Sequence, residues 1–168
     1  MIQLKKDKGF IILIGIFCFL LGVVCNSDCV EAKQNKKKSY VVTLYNEQNG
    51  LPTGEANTVL QTSDGYIWIG SYGGLVRYDG TAFRNYSVER AIKSSSIRAL
   101  FEDSKGRLWI GTNDAGVVVM EQDSFTEIAL PEDRSFACIR DFAEGEDGTI
   151  YVASNSGMAE IKDGKIVP

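Results

Sequence analysis

Residues 58–83 read TVLQTSDGYIWIGSYGGLVRYDGTAF. Within Tyr66–Ser71 the residues alternate, Ile67 and Ile69 against Tyr66 and Trp68, which is the period of a β-strand. Both sets are apolar or aromatic, so both faces of that strand need a neighbour. The same phrase returns twice. Residues 99–125 read ALFEDSKGRLWIGTNDAGVVVMEQDSF and residues 141–166 read DFAEGEDGTIYVASNSGMAEIKDGKI. Gly65, Gly106 and Gly148 align, as do Trp68, Trp109 and Tyr151, and then Gly74, Gly116 and Gly157. The spacing is 41 or 42 residues each time (65 to 106, 106 to 148).

Each copy reads as four short strands. Thr58–Gln61 aligns with Ala99–Glu102 and Asp141–Glu144, and Tyr66–Ser71 with Arg107–Thr112 and Thr149–Ser154. Leu75–Tyr78, Val117–Glu121 and Met158–Ile161 follow, and then outer strands around Phe83, Phe125 and Ile166. Four strands in about 42 residues is the size of a propeller blade. One blade cannot bury both faces, so blades must stack. The expected fold is all-β, a β-propeller fragment of about three four-stranded blades in an open arc. Blade limits near 40–88, 89–130 and 131–168 are expected, with no helix longer than a turn or two after Lys38. Trp68, Trp109 and Tyr151 are expected to pack between blades rather than to bind sugars. Asp64, Asp103 and Asp147 are expected to cap turns. Closed propellers need at least four blades. The chain therefore reads as an N-terminal fragment of a longer parent, with apolar blade faces exposed and poor solubility. Tyr40–Tyr45 (YVVTLY) is expected to be a strand whose partner lies in a missing final blade.

Residues 1–32 read as an address. Lys5, Lys6 and Lys8 precede the apolar run GFIILIGIFCFLLGVVC at 9–25, and Val30-Glu31-Ala32 offers small residues for cleavage after Ala32. A signal peptide is expected, with an uncleaved anchor helix as its competitor. A lipid anchor at Cys25 is disfavoured by Val24. Either way the N-terminal segment engages the membrane, and the rest is expected to be exported, to the periplasm or the extracellular face of a bacterial membrane. Residues 33–39 form a basic linker. The chain carries a net charge of −4, residues 1–38 contribute +4, and the remainder is therefore −8. So acidic a body does not neutralise phosphates, and nucleic acid is not an expected partner. There is no histidine. That excludes a Ser-His-Asp triad, a His-based zinc site and a phospho-accepting histidine in this chain. Once residues 1–32 are removed, Cys138 is the one cysteine left, read as a small buried hydrophobe.

A ligand site, if present, is expected where the start of each inner strand meets the loop after each second strand. The starts are Asn57, Arg98 and Arg140, each eight residues before a turn glycine. The loops carry Tyr72, Asn113, Asp114 and Asn155. The two arginines suit bidentate contacts to an acid. The competing reading is that these groups merely solvate a wet channel mouth.

Asp103-Ser104-Lys105-Gly106-Arg107-Leu108-Trp109-Ile110-Gly111-Thr112 resembles the two-component regulator propeller repeat. Thr62–Ser71 matches nearly as well, with the acid shifted to Asp64, and Asn49-Gly50-Leu51-Pro52 is similar to the segment that opens such sensors. The third copy departs, with Tyr151 for Trp and Ala153 for Gly. The resemblance implies the ligand-sensing half of a membrane receptor in signal transduction. Its partners would be a small molecule, carbohydrate in some members, and further propeller blades of a longer parent. The output would be a histidine kinase or diguanylate cyclase module outside this chain. No catalytic residue, metal or cofactor is expected. The rival readings are a secreted structural or adhesive propeller and a sialidase-like glycosidase propeller. The latter needs an arginine cluster and an acid–nucleophile pair, and no such pair stands out.

Overall fold

The computed structural model describes residues 40–86 and 91–168. The expected signal segment at 1–32 and basic linker at 33–39 lie outside the described residues. Val42–Pro168 forms a compact unit. That unit contains twelve described strands. They are β1 (Thr58–Gln61), β2 (Ile67–Ser71), β3 (Gly74–Tyr78), β4 (Phe83–Asn85), β5 (Ile97–Glu102), β6 (Leu108–Thr112), β7 (Val117–Glu121), β8 (Ser124–Glu127), β9 (Ile139–Glu144), β10 (Ile150–Ser154), β11 (Gly157–Lys162) and β12 (Lys165–Val167). They form three four-stranded antiparallel sheets in simple sequence order. The described helix is a single 3₁₀ turn, Glu47–Asn49. The described residues form an all-β propeller arc of three blades.

Residues 40–45 are exposed and form no strand here, where a strand paired to a missing final blade was expected. A strand exists only as part of a ladder, and no described segment offers this one a partner.

Two apolar clusters hold the blades together, one at each seam. Trp68 and Leu75 of the first sheet pack with Ile97, Leu108, Ile110 and Val118 of the second. Trp109 and Val117 of the second pack with Ile139, Phe142, Ile150 and Val152 of the third. Every residue of β6 is buried, as expected of a strand covered on both faces. Trp68 and Trp109 are almost fully buried, so they do pack between blades. Tyr151, at the open face of the third sheet, is half-buried.

The glycine of the Trp-Ile-Gly phrase is a packing requirement. A Cβ on Gly70 would lie 2.6 Å from Ile97 Cγ2, and one on Gly111 would lie 2.5 Å from Ile139 Cγ2. The isoleucine that opens β5 and β9 therefore seats directly on the backbone of the preceding blade. A polar clamp sits beside each seat. Ser63 donates its backbone N–H and its hydroxyl to the Glu102 carboxylate at 2.8 and 2.7 Å. Ser104 does the same to Glu144 at 2.7 and 2.6 Å.

The turn acids occupy two slots. Asp64 and Asp147 sit just before the turn glycine. Asp64 accepts from Thr62 Oγ1 at 2.6 Å, and Asp147 accepts from the Thr149 N–H and hydroxyl at 3.0 Å each. Asp103 sits two residues earlier and is buried. It accepts from the Lys105 and Arg107 N–H groups at 3.0 and 2.9 Å, from Arg107 Nε at 2.6 Å and from Trp109 Nε1 at 2.8 Å. It therefore caps its turn and also locks the packing tryptophan.

Candidate functional site

Each loop after a second strand is closed by the hydroxyl that ends the strand. Ser71 Oγ donates to the Gly74 carbonyl and accepts from the Gly73 N–H. Thr112 does the same with Gly116 and Ala115, and Ser154 with Gly157 and Ser156. The glycine after each loop takes a positive φ, 108° at Gly74, 78° at Gly116 and 119° at Gly157. These pins fix the loops that present Tyr72, Asn113 and Asn155.

The inner strands meet those loops through a β-bulge. In the β5–β6 ladder, Ile97 pairs with Thr112 and Ala99 with Gly111, which leaves Arg98 as the extra residue. In the β9–β10 ladder, Ile139 pairs with Ser154 and Asp141 with Ala153, which leaves Arg140 in the same position. A bulge re-aims a side chain at a sheet's rim. Here it turns two arginines toward the loops of their own blades. Arg98 Nε donates to Asn113 Oδ1 at 3.2 Å, and Arg140 Nε donates to Asn155 Oδ1 at 2.7 Å. Arg98 Nη1 also reaches Tyr72 Oη of the preceding blade at 3.4 Å.

Cys138 joins the two halves. Its thiol donates to Asn113 Oδ1 at 3.6 Å, and Asn155 Nδ2 donates to its sulfur at 3.3 Å. It is half-buried among amides and not the buried hydrophobe the sequence suggested. The reason is position: it precedes β9 by one residue and lies at the rim, not in the seam. Tyr72, Arg98, Asn113, Cys138, Asn155 and Arg140 thus form one continuous line.

Two expected site residues stand apart from it. Asn57 donates Nδ2 to the Ile97 carbonyl at 2.9 Å, so its amide ties the start of one inner strand to the next. Asp114 is exposed, and its carbonyl accepts from Arg134 Nη2 at 3.2 Å. Cys138 was missed as a member of the line. Its place two residues before Arg140 was the available signal.

Among the described residues no carboxylate lies within 4.0 Å of the Arg98 or Arg140 guanidinium; the ion pairs are Arg77–Asp123, Lys93–Glu127, Arg107–Asp103 and Lys162–Glu160. Neutral amides and a phenol orient both cations and leave guanidinium donors for an anion.

This is a repeat protein of the β-propeller class, with a polar line across the rim of its inner strands. Residues 50–73 and 91–114 match the family profile of the two component regulator propeller. Comparison with curated proteins gives no match. Among solved structures, the chain is similar to the extracellular domain of BT3049 of B. thetaiotaomicron, described as a hybrid two component system. The identity is 21% and the TM-score 0.58, over 72% of this chain and 16% of that one. It is also similar to a catalytically inactive virginiamycin B lyase from Staphylococcus aureus, solved with quinupristin. There the identity is 18% and the TM-score 0.56, over 70% of this chain and 42% of that one. A streptogramin B lyase matches at 21% identity and a TM-score of 0.56, over 69% of this chain and 40% of that one. The chain spans about a sixth of the first of these and about two fifths of the lyases. At these identities the likeness establishes the propeller fold alone.

Proposed function

We propose that this chain is the ligand-sensing propeller region of an exported membrane receptor, itself non-catalytic. The repeat family and the apolar segment at 9–25 support export and a role in signalling. The output, a histidine kinase or a diguanylate cyclase, belongs to a longer parent in this reading. The observation that carries ligand sensing is the pair of bulged arginines, Arg98 and Arg140. Each is held by an amide in its own blade and has no carboxylate partner among the described residues. Such a pair suits a small anionic ligand, and the surrounding amides suit hydroxyls. The fitting class is an acidic carbohydrate.

The test is calorimetric titration of the full chain with glucuronate as the probe. Arg98→Ala and Arg140→Ala are each expected to weaken binding about tenfold, the scale of one charge-assisted contact. In the full-length receptor the double variant is expected to lose its ligand response. Unchanged affinity and response in folded double-variant protein would refute the assignment.

A further inference from the structure

The outer ends of the two seams are filled differently. At the first, the Arg77 guanidinium lies over Tyr66, 4.1 Å from the ring centre, and 5.8 Å from the ring centres of Trp68 and Tyr86. Its Nη1 is 4.0 Å from the Asp123 carboxylate of the next blade. Arg84 lies over Tyr86 at 4.8 Å, and Tyr86 meets Phe125 across the seam at 5.8 Å. The chain thus closes this seam with a cation of its own, set on aromatic rings and facing a turn carboxylate of the following blade.

The ladders fix the equivalent residues at the second seam. Arg77 pairs with Arg84 across β3 and β4, and Val119 pairs with Thr126 across β7 and β8. The Tyr86 N–H donates to the Leu75 carbonyl, as the Ile128 N–H does to the Val117 carbonyl. Val119, Thr126 and Ile128 therefore stand where Arg77, Arg84 and Tyr86 stand one blade earlier, and each is smaller. The difference in bulk leaves a groove of about 310 Å³ between the second and third sheets. That is the small end of the range for small-molecule sites. Trp109, Val119, Ile128, Ile150 and Ile161 give it an apolar floor.

Three charged side chains line the groove: Arg107, Glu121 and Asp163. Arg107 is already engaged. Its Nε donates to the Asp103 carboxylate at 2.6 Å, and its guanidinium lies over Trp109 at 5.0 Å. Glu121 and Asp163 are exposed and have no cation within 4.0 Å among the described residues. With Asp103 offsetting Arg107, two uncompensated carboxylates stand beside an apolar floor.

We propose that this groove binds a small alkylguanidinium cation, its stem on the apolar floor and its guanidinium between Glu121 and Asp163. The ligand takes the place that Arg77 holds at the first seam, and the two carboxylates take the part of Asp123. The groove lies between two described sheets of one chain, so it does not depend on how many blades complete the ring. It is separate from the rim line of Arg98 and Arg140, which suits anions.

The experiment is titration of the full chain, in mild detergent, with n-butylguanidinium, followed by the indole N–H resonances of Trp68 and Trp109. Trp109 is expected to shift saturably and Trp68 to stay in place. Glu121→Gln and Asp163→Asn are each expected to weaken binding about tenfold, the scale of one charge-assisted contact. Val119→Arg supplies the groove with a guanidinium from the chain itself and is expected to abolish binding. Arg77→Val opens the first groove and is expected to make Trp68 respond as well. Circular dichroism checks the β fold of each variant. If Val119→Arg fails to fold, the carboxylate variants and Arg77→Val decide. n-Butylammonium is expected to bind more weakly than n-butylguanidinium, and butyrate to leave Trp109 unmoved. Val119→Arg is expected to leave glucuronate binding intact, so the two sites are read separately. The proposal is overturned if Trp109 shows no saturable shift, or if neither carboxylate variant weakens binding. Equal or tighter binding of n-butylammonium or butyrate overturns it too.

Discussion

Asp103 shows how one side chain serves a turn and a seam together. Burial alone pushes its carboxyl up; the donors from Trp109, from the Arg107 N–H and from the Arg107 guanidinium outweigh that and hold it below the ordinary carboxylate value. Asp79, in the exposed turn before β4, is lowered to about 2 by the Ala82 N–H and the Thr81 hydroxyl and N–H. Asp147 is lowered as well, chiefly by the Thr149 N–H. A carboxyl depressed by folding contributes stability that is complete above its unfolded value, about 3.9, and is lost as pH falls through the folded value. The melting temperature is therefore expected to drop steeply from about pH 4 to about pH 2. Asp103→Asn is expected to cost about 1–3 kcal/mol at neutral pH, since it leaves Arg107 without its carboxylate. It should also flatten the acid limb of the pH–stability curve. Thermal melts at a series of pH values measure both, and an unchanged acid limb would count against the argument. The turn role of these acids was legible in the sequence. The hold of Asp103 on Trp109 was not, because the two residues are six apart and meet only when the hairpin pairs.

At the scale of elements, the inner strand of each blade is the part that joins one sheet to the next. In β5 and β9 the opening isoleucine enters a space that only glycine leaves on the preceding blade. Gly111→Ala is expected to destabilise the chain by about 1–3 kcal/mol, through overpacking against Ile139. Combining it with Ile139→Ala should give less than the sum of the two single costs, because the smaller residue removes the clash. Denaturant midpoints of the four proteins would reveal additive costs if the contact were unimportant. Strand order and the second strands were legible from period and glycine spacing. The bulges at Arg98 and Arg140 were not, since an extra residue in a ladder depends on which partner residues align across it.

For the whole molecule, each sheet touches only its chain neighbours, so stability is nearly one-dimensional. The middle sheet has both faces covered, and Ile139 belongs to the second seam alone. Ile139→Ala is expected to cost about 2–5 kcal/mol. Hydrogen exchange should accelerate in β9–β12 and leave β1–β4 close to wild type. Equal loss of protection in β2 and β10 would mean that the arc unfolds as one indivisible core.

The sequence by itself determined the repeat, the four strands of each copy, the all-β class and the seam position of the tryptophans. These follow from local period and turn chemistry, which are written residue by residue along the chain. The tertiary structure decided which residues share a rim. Arg98 and Asn113 are brought together by a bulge, Cys138 is placed between two loop amides, and Tyr72 is carried to the next blade's arginine. The physical reason is that hydrogen bonds between blades depend on the stacking of whole sheets, and stacking is set by how side chains of distant segments fill the seam.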